Sequence, residues 1–105
     1  MQKLVLAFVV AIALLGAVAV AQQGWTGYIS DSHCGVSHMD GSKASIDCVT
    51  SCVKGGGAPI FVTMDKKILK ITDPAKVMSF LGQKVAVTGK LAGENLTIAS
   101  IKAAK

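Results

Sequence analysis

The reactive side chains of this chain gather in one stretch: Cys34, His38, Cys48 and Cys52, spaced Cys34-x3-His38-x9-Cys48-x3-Cys52. Three thiolates and an imidazole are soft donors, and four of them suit a tetrahedral Zn²⁺ or a copper ion. The spacing lacks the CxxC knuckle of common zinc modules. Two other chemistries compete for the same residues. In one, Cys34 pairs with Cys48 or with Cys52 as a disulfide. Closing a loop of roughly 15 to 19 residues in this way would stabilise a small domain by about 3 kcal/mol and leave one cysteine over. In the other, a thiol near His33 or His38 does redox work, which calls for an accessible sulfur with a lowered pKa. The chain has no CxxC, no thioredoxin-like βαβ pattern and no CxxCH for haem attachment.

His33 and His38 lie in a polar loop, where most histidines are simply solvated. His38 is the better ligand candidate because its spacing from Cys34 repeats that of Cys48 and Cys52. Asp31, Asp40 and Asp47 flank the cluster and read as caps and turn residues rather than catalysts. No paired carboxylates, Ser/His/Asp order or phosphate-cradling glycine motif accompanies them. Gly55-Gly56-Gly57 does not qualify, because it follows a helix instead of linking a strand to a helix N-terminus. These absences favour a protein that is not an enzyme.

The elements that must position the cluster follow from the local pattern. Trp25 to Ser30 alternates large and small residues and reads as a first strand. Asp31 to Gly41, rich in Ser, Gly and His, is a loop. Ser42 or Ser45 can cap a short helix through Ala44 to about Lys54, which the glycine run then ends. That helix would put Cys48 and Cys52, at i and i+4, on one face. Pro59–Met64 and Ile68–Thr72 read as strands joined by an Asp65-Lys66-Lys67 turn. Asp73-Pro74, as N-cap and N1, opens a second short helix to about Leu81, closed by Gly82. Lys84–Leu91 and Leu96–Lys102 alternate cleanly and form a hairpin around Ala92 to Asn95. Five strands with a helix between the third and fourth is the layout of an OB-like barrel, with residues 31–57 as a Cys/His-bearing insertion. The alternative is an open antiparallel sheet with its helices on one face.

The first 21 residues have the parts of a cleavable signal peptide: Lys3, an uncharged apolar stretch from Leu4 to Leu15, the helix-loosening Gly16, and small residues at Ala19 and Ala21. An uncleaved anchor is the alternative, but the apolar stretch from Leu4 to Val20 falls just short of the roughly 20 residues that span a bilayer comfortably. The first cysteine, Cys34, lies too far along for lipid attachment. Residues 22–105 then form one small, secreted or periplasmic domain. The 51% hydrophobic content is inflated by the leader. Without Lys3, ten of the eleven basic residues remain against six acids, and none is Arg. Lacking Arg forks and with few aromatics for base stacking, the domain is not expected to bind nucleic acid. A metal ion, an envelope glycan or a protein partner is the expected company. For the glycan or protein, Trp25 and Tyr28 would be the contact residues if they are not core.

Tyr28-Ile-Ser-Asp-Ser-His-Cys-Gly35, His38, Cys48-Val-Thr-Ser-Cys-Val53, Gly56-Gly-Ala-Pro-Ile-Phe-Val62 and the closing VTGKL…LTIASI hairpin together cover most of the chain after the leader. In these segments it resembles a family of small, signal-peptide-bearing bacterial proteins, frequent in soil bacteria and without an established activity. The DSxCG…H…CxxxCV block is the most specific part. Members commonly carry a Tyr-type residue where this chain has Pro59-Ile60. The resemblance implies an OB-like fold and an exported location, and no activity.

Overall fold

The computed structural model describes residues 22–105, so the proposed leader, residues 1–21, lies outside it. Five strands are present: β1 (Gln23–Asp31), β2 (Pro59–Thr63), β3 (Ile68–Ile71), β4 (Lys84–Ala92) and β5 (Asn95–Ala103). Between β1 and β2 lie a 3-10 turn (Gly35–Ser37) and one α-helix, α1 (Lys43–Lys54); a 3-10 helix (Pro74–Phe80) joins β3 to β4.

The strands form one sheet that closes on itself in the order β1-β2-β3-β5-β4. Neighbours are antiparallel except β3 and β5, which meet in parallel at Lys70↔Asn95 and Ile71↔Leu96. That short parallel contact closes the ring, since β1 already pairs with β2 on one side and β4 on the other. The open-sheet alternative is thereby excluded. The β4–β5 hairpin turns at Gly93-Glu94, and its register slips between Thr88 and Gly89, the kind of bulge that bends a strand round a closed sheet.

The alternation seen in the sequence becomes an inside and an outside. Ile29, Phe61, Leu69, Val85, Val87, Leu96 and Ile98 point into one core cluster, which Val49 from α1 and Val77 from the 3-10 helix complete. Trp25 packs against this cluster, and Tyr28 is buried, so strand-one aromatics are packing residues and not an exposed patch. From Gly27 to Asp31, β1 is buried at every position. Its outer face is covered by the Cys-bearing segment: Ser30 Oγ donates to the Gly35 carbonyl at 2.6 Å.

Two local expectations change. Residues 74–80 form a 3-10 helix, and Asp73 does not cap it. The Asp73 carboxylate instead pairs with Lys76 Nζ at 3.1 Å. Gly82 does more than end that helix. It has φ +76°, and a Cβ there would lie 2.5 Å from the Ile46 Cα, so α1 rests its backbone directly on this glycine.

Candidate metal centre

Asp31 ends β1, and its side chain starts the cluster. Asp31 Oδ1 accepts the backbone N–H groups of His33 at 2.9 Å and Cys34 at 3.0 Å, an Asx-type turn that reverses the chain. Ser32 ties this turn to the start of β2, donating N–H to the Ala58 carbonyl at 2.9 Å and accepting the Ala58 N–H at 3.1 Å on its Oγ. Cys34 and His38 flank the 3-10 turn Gly35–Ser37, which sets one on each side of a single tight bend.

The other two cysteines are held by α1, which starts at the first of the two serines the sequence offers as caps. Ser42 is the N-cap, its Oγ accepting the Ser45 N–H at 3.1 Å. Asp40 Oδ1 accepts the Ser42 N–H at 3.0 Å and the Ser45 hydroxyl at 2.6 Å, and these hydrogen bonds hold the Asp40 carboxyl down at about 2. Asp47 is exposed and pairs with Lys43 at 2.9 Å. At the far end, the N–H groups of Gly55, Gly56 and Gly57 satisfy carbonyls of the last turn, and the left-handed residue is Gly56, φ +106°. Capped at both ends and buried at Val49, the helix carries Cys48 and Cys52 one turn apart above the Asp31–His38 segment.

The three cysteines and His38 therefore come together, as the spacing suggested. They do so as two triads sharing one sulfur. Donor atoms of Cys34, His38 and Cys48 lie within 4.8 Å of one another, and so do those of Asp31, Cys34 and Cys52. For comparison, neighbouring sulfurs around one tetrahedral Zn²⁺ sit roughly 3.8 Å apart, given Zn–S bonds of about 2.3 Å. All three cysteines are free thiols, so neither the Cys34–Cys48 nor the Cys34–Cys52 disulfide is formed. His33 is exposed and belongs to neither triad. Asp31, which the sequence offered only as a turn residue, is both a turn residue and a potential ligand.

The electrostatics favour the neutral thiol at Cys34 and at Cys52 in the metal-free protein. Partial burial, then the Asp31 carboxylate and the neighbouring cysteines, push the Cys34 thiol up to about 11. The same two leading causes, burial and Asp31, raise Cys52. A redox nucleophile needs the opposite shift. Among the described residues, three buried side-chain polar atoms lack a hydrogen-bond partner, and two are on residues of the triads: His38 Nε2 and Asp31 Oδ2. An unpartnered imidazole nitrogen and an unpartnered carboxylate oxygen are costly to bury, and each is an atom that a bound cation can partner.

Fold and site together define a small β-rich domain, closed in a ring, with a Cys/His cluster laid over its first strand. Comparison with protein-family models, with curated proteins and with solved structures gives no match.

Proposed function

We propose that this protein is a small exported, non-enzymatic domain that binds a soft metal ion, zinc or copper, through Cys34, His38, Cys48 and Cys52. The observation that carries this reading is the convergence of Cys34, His38 and Cys48 donors within 4.8 Å, with the Cys52 sulfur within the same distance of the Cys34 sulfur. The strand order β1-β2-β3-β5-β4, with a short helix before β4, supports an OB-like barrel as the scaffold. The resemblance to small exported bacterial proteins and the N-terminal residues 1–21 support a location outside the cytoplasm. There, a metal would also protect thiols that otherwise oxidise.

The test is elemental analysis and thiol counting on protein purified without chelator. Zinc or copper should co-purify in stoichiometric amount, and Cys48→Ser should hold less of it. Metal-free protein that also fails to take up Zn²⁺ or Cu⁺ after anaerobic reduction would overturn the reading.

A second reading, a binding module with structural cysteines, draws on a groove of about 490 Å³ beside the turn, lined by Ala58, Pro59, Ile60, Ile68 and Ile71 with Lys70 at hand. Its aliphatic lining, without an aromatic platform, suits an apolar protein segment better than an envelope glycan.

A further inference from the structure

The two triads raise the question of how many ions the cluster takes. Resting on the metal-binding reading above, we infer that it holds two divalent ions of the Zn²⁺ class, with the Cys34 thiolate bridging them. One ion sits on Cys34, His38 and Cys48; the other sits on Asp31, Cys34 and Cys52.

Three observations lead to this arrangement. The donor atoms divide into two mutually close sets with only Cys34 in common. Each set contains a residue with a buried polar atom that nothing in the protein satisfies, Nε2 of His38 in the first and Oδ2 of Asp31 in the second. Asp31 is fully buried, at 0% exposure, so its second oxygen cannot turn to solvent for a partner. A single ion on the Cys3His set would leave this carboxylate oxygen unpaired beside the metal.

Charge leads the same way. Three thiolates and one carboxylate carry four negative charges, which two divalent ions offset in full and one leaves half unmatched. Unmatched charge in a partly buried site is expensive. A thiolate sulfur has lone pairs enough to bridge two soft cations, and Cys34 is the one residue common to both donor sets. Each ion would have three protein donors, and the fourth tetrahedral position would remain for water or an incoming ligand.

The experiment titrates the reduced, metal-free protein anaerobically with Zn²⁺ and with isotope-enriched Cd²⁺, reading ions bound per chain and the cadmium NMR spectrum. The expected result is two ions per chain and two cadmium resonances coupled through the shared sulfur. Asp31→Asn, which keeps the turn-forming Oδ1, should bind one ion, as should His38→Ala. Cys34→Ser should lose the bridge and the coupling. One ion per chain in the wild type, or two ions still bound by Asp31→Asn and by Cys52→Ser, would overturn the bridged pair while leaving metal binding intact. No ion bound at all would overturn metal binding itself.

Discussion

Two backbone N–H groups, those of His33 and Cys34, converge on one oxygen of Asp31, while the other oxygen is buried without a partner. The first oxygen builds the turn and the second strains it, so the two halves of one carboxylate act in opposite directions on the metal-free protein. Asp31→Ala removes both accepted hydrogen bonds and should destabilise that form by about 2 kcal/mol, within the range for hydrogen bonds to charged groups. Asp31→Asn retains Oδ1 and replaces the orphaned oxygen with a neutral amide. It should therefore be as stable as wild type or more so without metal, and gain less stability when metal is added. Urea unfolding of both variants with and without Zn²⁺ checks this. An Asp31→Asn protein that loses as much stability as Asp31→Ala would remove the distinction. His33, two residues on from Asp31, is exposed and should tolerate Ala without loss of metal.

At the scale of elements, the site depends on where α1 sits, and that depends on Gly82. The helix delivers Cys48 and Cys52, and its backbone at Ile46 lies against a glycine with φ +76°. Gly82→Ala places a Cβ 2.5 Å from the Ile46 Cα in a backbone conformation that L-residues avoid. It should cost roughly 2–4 kcal/mol, combining backbone strain with displacement of the helix, and weaken metal binding as well. Gly93→Ala is the control. It has φ +63°, but nothing lies within 4 Å of the added carbon, so it should show only the backbone penalty, about 1 kcal/mol, with metal affinity unchanged. Denaturant unfolding and Zn²⁺ titration of the pair separate the two effects. Equal metal affinity in both variants would argue that α1 is not fixed by this contact.

For the whole molecule, the core and the cluster are separate structures joined by α1. The core cluster draws on all five strands and on the two longer helices, and contains no cysteine. Removing metal should therefore leave the sheet folded, with native far-ultraviolet circular dichroism. Local opening should concentrate in residues 32–57, where amide exchange should quicken. Restoring metal at a hundred times its dissociation constant should raise stability by about 2.7 kcal/mol per independent site. Chelation that unfolded the sheet itself would show that the ring cannot stand without its cap. Because Cys34 and Cys52 hold their protons more firmly than free thiols, binding must displace them, and affinity should rise with pH.

Much of this was legible in the sequence because it is governed by neighbours along the chain. Ser42 or Ser45 and the Gly55–Gly57 run mark the ends of α1 by cap chemistry, and i, i+4 spacing puts Cys48 and Cys52 on one face. Strict alternation in Val85-Ala86-Val87 and Leu96-Thr97-Ile98 gave a hairpin with one face inward. The association of Cys34 and His38 with the helix cysteines followed from spacing and donor type. What required the tertiary structure was every relation set by distance in space. The parallel contact of β3 with β5 closes the ring through residues about 25 apart in sequence. Asp31 could be read from sequence as a turn residue, but its place among the ligands depends on α1 folding back over the end of β1. The division of the donors into two triads is a matter of a few ångströms between side chains on separate elements. Local propensity acts over one or two turns of chain and carries no such information; only packing α1 onto Gly82 and the core decides it.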